Sequence, residues 1–185
     1  HNAGLSGDIL LEPVARNTAP ALCAAALQIA QTDPDAVMVI LPSDHFVSDG
    51  AGFAAAIAEA TRLAQEGWWV TLGIRPTRAS SAYGYIAPGP VIPGHGRATE
   101  VAQFLEKPDV DKAEALISSG CVWNAGIFVV KAGTAVELIA GHARDVYEAV
   151  QRAVAEIAID QQFYRLQPEA FSSSPSISID YAVLE

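Results

Sequence analysis

Cysteine, methionine and basic side chains are all scarce in this 185-residue sequence, which has 2 Cys, 1 Met and 11 Lys plus Arg against 21 Asp plus Glu. So few cysteines cannot build a disulfide framework, and a reducing cytoplasm is the expected location. A formal net charge of −10 argues against nucleic-acid or anionic membrane partners, which require clustered Lys and Arg. No apolar run approaches the roughly 20 residues of a membrane-spanning helix. Small molecules remain as the expected ligands.

Hydrophobic patterning predicts alternating helices and strands. The runs are 18–31 (helix), 36–41 (strand), 52–67 (helix), 68–74 (strand), 83–87 (strand), 98–107 (strand), 110–119 (helix) and 123–131 (strand). Such alternation is typical of a sheet covered by helices. We therefore predict an α/β fold, with a Rossmann-like, mixed but mostly parallel sheet and helices on both faces, forming one domain over residues 1–185.

Local signals predict where helices begin and end. Thr18 is the expected N-cap of the first helix, and Asp109 is the expected N-cap of the helix over 110–119. Gly67 is expected to close the helix over 52–67. After Ile157 the pattern weakens, so a less regular tail is expected to lead into SISIDYAVLE. Both ends look cut, since HNAG resembles a helix end closed by Gly4 and the last residues stop inside an apparent helix.

The stretch AVMVILPSDHFVSD places a carboxylate, Asp44, directly after a buried strand. Ligands of doubly wound sheets bind outside the carboxyl ends of the strands. Asp44 is therefore either a turn or N-cap residue or a ligand for Mg²⁺, which takes one or two carboxylates together with substrate phosphates. The best candidate for a second carboxylate is Asp180 in SISIDYAV, whose position also suits an N-cap.

Two further strands carry polar residues, in FLEKP and WNAG. Glu106 and Lys107 are either solvated charges before a proline or a hydroxyl acceptor and a point charge for phosphate. Asn124 is either a turn residue or a donor and acceptor suited to a polyol. Gly126 would let a ligand approach the backbone.

The motifs YGYI and RNTAPA complete the set of candidates. Tyr83 and Gly84 could form the wall of a sugar site or could simply pack. Residues 16–18 (Arg, Asn and Thr) lie at a helix start, which suits an anion or a base edge. Neither cysteine has a neighbouring His or Asp that would activate it, so covalent catalysis is not expected.

Read in order, ILLEPVARNTAPAL, VILPSDHFV, YGYI, FLEKPD, WNAGIFVVK and SIDYAVLE closely resemble the mannose-1-phosphate guanylyltransferases, a family of sugar-activating nucleotidyltransferases. The resemblance runs from about Asp8 to the end of the chain. It implies GTP and mannose 1-phosphate as substrates, GDP-mannose and pyrophosphate as products, and Mg²⁺ as cofactor. It leaves open a homodimer and a fused phosphomannose isomerase domain.

The resemblance also implies a role for each candidate residue. Asp44 and Asp180 would bind Mg²⁺ and, with Lys107 on the sugar phosphate, would form the catalytic group. The implied substrate-binding residues are Arg16, Asn17 and Thr18 beside the nucleotide, and Tyr83, Gly84, Glu106, Asn124 and Gly126 at the sugar.

This sequence departs from the family pattern in two places. Ser81 and Ala82 replace the usual Thr-Gly before YGYI, and the Gly-rich loop with Arg and Lys that opens the family is not found. Because that loop would hold most of the cationic cradle for phosphates, we expect a domain truncated at both ends that is inactive or nearly so alone. The alternatives are a sister nucleotidyltransferase using another sugar or base, and a non-catalytic sugar-nucleotide-binding module.

Overall fold

The computed structural model describes residues 7–184, so the expected helix end at Gly4 and the terminal Glu185 lie outside the described residues. The strands are β1 (Ile9–Leu11), β2 (Val37–Ile40), β3 (Val70–Ile74), β4 (Tyr85–Val91), β5 (Thr99–Leu105), β6 (Val122–Lys131), β7 (Ala158–Asp160) and β8 (Phe163–Arg165). The helices are α1 (Thr18–Ala30), α2 (Gly50–Gln65), α3 (Val110–Ser118), α4 (Ala132–His142), α5 (Arg144–Ala155) and α6 (Pro168–Ser172), followed by a π-helix, Asp180–Leu184. None of the helices in this part of the chain has the length and apolarity to cross a membrane.

The chain divides into two compact units. The first unit contains residues 7–34 and 135–183, and the second unit contains residues 35–134 with residue 184. The first unit holds α1 and residues 180–183 of the π-helix, whereas the second holds β2 to β6. Our expectation of one domain stays a prediction, and each unit is described by itself.

The second unit is built on a five-stranded sheet in the order β2-β6-β4-β5, with β3 also paired to β6. The predicted α/β class, a sheet flanked by helices, is confirmed. The predicted mostly parallel pairing is wrong for the described strands, because each pairing in this sheet is antiparallel. β2 and β3 do run in the same direction, but β6, which comes much later in the chain, lies between them.

Small side chains bring helices close to this sheet. Ala60 and Ala64 of α2 pack on Val129 of β6, and Ala113 of α3 packs with Tyr85 of β4. Capping residues set the helix ends, since Asp49 accepts from Gly52 N at 2.9 Å and Asp109 accepts from Lys112 N at 2.8 Å. The predicted Asp109 cap is therefore confirmed, and so is Gly67, which follows α2 with φ 98°.

The first unit combines helices with a three-stranded sheet in the order β1-β8-β7. β1 runs parallel to β8, and β7 and β8 form an antiparallel hairpin. Our prediction of a less regular tail after Ile157 was therefore wrong. Strands of three residues are too short to show a period-2 pattern, and the pairing of β8 with β1 stabilises the hairpin.

Candidate functional site

Three of the expected sugar-binding residues stand in a row where β4, β5 and β6 meet. β4 pairs with β5 on one side and with β6 on the other at Tyr85. One residue before Tyr85, Gly84 lies between Glu106 and Asn124, and the backbone N–H of Asn124 donates to the Gly84 carbonyl at 2.8 Å. The structure therefore brings together side chains that are distant in sequence.

Gly84 packs directly under the Glu106 carboxylate. A Cβ atom on Gly84 would lie 2.5 Å from Glu106 Oε2, 3.0 Å from Phe104 Cζ and 3.4 Å from Asn124 Cβ. A side chain here would displace the Glu106 carboxylate and press on Phe104, so the glycine serves close approach and not a turn. Its absent side chain lets the Glu106 carboxylate reach its position beside Asn124.

The Asn124 amide has a fixed orientation. Its Oδ1 accepts from the Thr71 hydroxyl at 3.0 Å and from the Gly126 N–H at 3.1 Å. Since the oxygen end of the amide is held by these donors, the direction of the NH₂ end is also determined. Gly126 has φ 64° and lies in a register shift between β3 and β6, which gives the bend that turns its N–H toward Asn124.

Glu106 and Lys107 form an ion pair at the end of β5. Lys107 Nζ lies 3.1 Å from Glu106 Oε1, and the side chain of Glu106 is 11% exposed whereas that of Lys107 is 59% exposed. Lys107 has φ 45°, a left-handed conformation that is rare for a residue with a side chain. The arrangement presents a nearly buried carboxylate beside an accessible ammonium group.

The turn that carries Asp44 follows β2. Pro42 at its start lies close to Gly126, since a Cβ on that glycine would be 3.8 Å from Pro42 Cγ. Asp44 itself is exposed in the turn. The N-cap of the next helix is Asp49 and not Asp44. For Asp44 this leaves the turn and Mg²⁺-ligand interpretations.

Tyr83 stacks on an aromatic neighbour. Its ring centroid lies 4.8 Å from that of Trp123 at an interplanar angle of 53°, and the residue is 40% exposed. Adjacent residues of a strand point to opposite faces, so Trp123 and Asn124 project to opposite sides of β6. Tyr83 therefore packs on Trp123, and its place at a sugar site stays a prediction.

In the first unit, the RNT residues meet the segment that precedes Asp180. The Arg16 guanidinium donates to the Ser172 carbonyl, and the Thr18 hydroxyl accepts from Ile179 N at 2.9 Å. The N-cap of α1 is Asn17, whose side chain accepts from Thr18 N, so the predicted Thr18 cap was off by one residue. Asp180 is half-buried at the start of the π-helix, not before a helix as an N-cap would be.

The donor chemistry of Asp44 and Asp180 suits Mg²⁺, which prefers hard carboxylate oxygens. Across residues 7–184, no group of three or more His, Cys, Asp and Glu side chains could hold a metal ion by itself. Mg²⁺ sites that use substrate phosphates need only one or two protein carboxylates. Each carboxylate is of the kind that such an ion takes, and the Mg²⁺ role of Asp44 and Asp180 stays a prediction. Asp44 belongs to the second unit and Asp180 to the first.

Sequence reasoning missed one residue that orients a candidate site residue and one residue that caps a helix. Thr71 orients Asn124 from a position 53 residues earlier in the chain, and no local signal marks that pairing. Asp49 caps α2, and the sequence does carry a signal for it, because Asp49 stands directly before a helix-forming run rich in alanine.

A sheet flanked by helices, with polar side chains collected near strand ends, defines the class of this chain as an α/β protein. The chain belongs to the nucleotidyl transferase family, whose model matches residues 1–167.

Individual relatives match almost the whole chain. It is 44% identical over 178 residues to the xanthan biosynthesis protein XanB of Xanthomonas campestris pv. campestris (strain B100), covering 96% of this chain and 37% of XanB. It is 40% identical over 186 residues to the mannose-1-phosphate guanylyltransferase of Escherichia coli (strain K12), covering 98% of this chain and 39% of that enzyme. The chain therefore spans less than half the length of these curated relatives.

Solved structures share the fold. A crystal structure of mannose-6-phosphate isomerase from Helicobacter pylori superposes with a TM-score of 0.85 at 31% identity, covering 98% of this chain and 69% of that one. A crystal structure of mannose-1-phosphate geranyltransferase from Thermus thermophilus superposes with a TM-score of 0.78 at 36% identity, covering 95% of this chain and 49% of that one.

Proposed function

We propose that this chain is part of a mannose-1-phosphate guanylyltransferase, which transfers GMP from GTP to mannose 1-phosphate. Family membership supports nucleotidyl transfer, and the name of the E. coli relative supports this choice of sugar and nucleotide. The structural observation that carries the proposal is the row formed by Gly84, Glu106 and Asn124, because it presents the groups that a polyol requires at the end of a sheet.

The row suits the hydroxyl groups of a sugar. The Glu106 carboxylate accepts hydrogen bonds from hydroxyl groups, and its low exposure strengthens them. Asn124, held by Thr71 and Gly126, offers a fixed amide to neighbouring hydroxyls. Lys107 lies beside this row as a point charge and would meet the phosphate of the sugar 1-phosphate.

In the transfer itself, an oxygen of mannose 1-phosphate attacks the α-phosphorus of GTP in line. The bond from that phosphorus to the bridging oxygen breaks, and pyrophosphate leaves with its electron pair. Such reactions depend on positioning and charge neutralisation. Asp44 and Asp180 would hold Mg²⁺, which supplies neutralising charge to the phosphates when bound. Arg16 and Asn17, which lie in the unit that also contains Asp180, are proposed for the nucleotide side. We place the reaction in the cytoplasm.

The test uses the complete natural protein with GTP, mannose 1-phosphate and Mg²⁺, and measures GDP-mannose and pyrophosphate. Asp44→Asn removes a carboxylate charge and is expected to lower kcat by about 100-fold or more. The matched control is Asp49→Asn in the same loop, which is expected to keep activity because asparagine is also a good N-cap.

Several outcomes would contradict the proposal. If the complete protein forms no GDP-mannose, or forms another sugar nucleotide more rapidly in a panel of sugar 1-phosphates, the proposed reaction is wrong. Binding of GDP-mannose without turnover would indicate a non-catalytic module. Activity of Asp44→Asn within threefold of the unsubstituted protein would remove Asp44 from the catalytic group.

A further inference from the structure

The start of α1 and the segment before Asp180 are joined by reciprocal hydrogen bonds within the first unit. The backbone N–H of Ala19 donates to the Ile177 carbonyl at 3.1 Å. In return, the backbone N–H of Ile179 donates to the Thr18 hydroxyl oxygen at 2.9 Å, across 161 residues of sequence. A single polar side chain in α1 therefore fixes the backbone of the residue directly before Asp180.

This contact is costly to lose because of where it lies. Ile179 is 1% exposed, so water has little access to its N–H once the Thr18 oxygen is removed. The first N–H groups of a helix have no acceptor within the helix, and a buried donor without an acceptor is strongly unfavourable. Thr18 therefore satisfies an N–H at the entrance of the π-helix that begins at Asp180.

The position of Thr18 is itself held from two sides. Asn17 adopts φ 68° and accepts from Thr18 N at 2.8 Å, so a strained residue fixes the threonine backbone. The Arg16 guanidinium donates to the Ser172 carbonyl, which ties the same turn to the chain ahead of the π-helix. A strained, multiply anchored turn is typical of a place where geometry matters to function.

From these contacts we infer that Thr18 is a positioning residue for the Asp180 carboxylate. This inference rests on the proposed function, in which Asp180 helps to hold Mg²⁺, and it replaces a direct contact of Thr18 with the nucleotide. The threonine hydroxyl fixes Ile179, Ile179 fixes the first residue of the π-helix, and the carboxylate is thereby held in one place.

The experiment compares Thr18→Val with Thr18→Ser in the complete natural protein. Valine keeps the shape but removes the acceptor oxygen, whereas serine retains it. The control is Thr61→Val, which also removes a hydroxyl hydrogen bond, to Ile57 O at 2.8 Å, but in the other unit. The first measurement is the exchange rate of the Ile179 amide, and the second is the Mg²⁺ concentration that half-activates transfer.

In Thr18→Val, the Ile179 amide is expected to exchange about tenfold faster, which corresponds to ~1.4 kcal/mol. The half-activating Mg²⁺ concentration is expected to rise about three- to tenfold in that variant, with the KM for mannose 1-phosphate unchanged. Thr18→Ser and Thr61→Val are expected to stay within about twofold of the unsubstituted protein for both measurements.

Unchanged exchange in Thr18→Val would overturn the inference. Faster exchange with an unchanged Mg²⁺ requirement would also overturn it, because Thr18 would then stabilise the π-helix without positioning Asp180. A failed function gives a different result, since the unsubstituted protein would then form no GDP-mannose, which is measured before any variant.

Discussion

Gly84→Ala is the most direct perturbation of the candidate sugar site. The added Cβ would lie 2.5 Å from Glu106 Oε2 and 3.0 Å from Phe104 Cζ. The Glu106 carboxylate is the end of a flexible side chain and can move aside, whereas Phe104 is 7% exposed and must shift within its packing. Overpacking of this kind costs about 1–3 kcal/mol, which lowers Tm by about 2–4 °C for each kcal/mol in a protein of this size.

The assay is urea or thermal unfolding of a double-mutant cycle with Glu106→Ala. Because Glu106→Ala removes the nearest clashing atom, the double variant should be more stable than additivity predicts, by about 1 kcal/mol. Gly50→Ala is the control, since a Cβ there meets nothing within 4 Å. Wild-type stability in Gly84→Ala, or full additivity in the cycle, would refute the reasoning.

Three further predictions concern single side chains. Burial raises the pKa of the Cys23 thiol to about 12 from its ordinary value of 9.0. The unfolded chain therefore loses this proton at lower pH than the folded chain, so the free energy of unfolding should fall above about pH 9, by up to ~1.4 kcal/mol per pH unit. Urea titrations of Cys23→Ala should lack that part of the pH dependence. Asp49→Ala should lower the free energy of unfolding by about 1 kcal/mol through loss of the α2 cap, and an effect equal to that of Asp49→Asn would contradict this. Thr71→Val should raise the KM for mannose 1-phosphate about three- to tenfold by removing one of the two donors that hold Asn124 Oδ1, with Thr71→Ser restoring it. An unchanged KM in the valine variant would show that Thr71 does not orient the amide.

Local patterns predicted the helices of the second unit well. The cap residue Asp109 before α3 and the closing residue Gly67 after α2 can be recognised from the local sequence alone. α3 ends within one residue of its predicted end. The order of strands in the sheet was not predictable in this way. β6 enters between β2 and β3 because all three can bury apolar faces there, and no residue in β2 indicates which strand will lie beside it.

The candidate site shows the same division between local and long-range information. Gly84, Glu106 and Asn124 were found as separate motifs, and the structure shows that they share one row. Thr71 and the Thr18–Ile179 contact were not found, because a hydrogen bond between distant residues leaves no pattern at either end. Motif reading thus named candidate residues for ligand contact and missed the residues that orient them.

Backbone strain gives an independent indication of which groups matter. The described non-glycine residues with positive φ are Asn17, Lys107 and Gln161, and the first two were already candidates. Lys107 is the more unusual, because it also precedes Pro108, and a residue before proline disfavours helical conformations. Glycine would satisfy this backbone with less strain. A strained backbone of this kind is often found at functional sites, which is consistent with the proposed role of the Lys107 ammonium group at a phosphate.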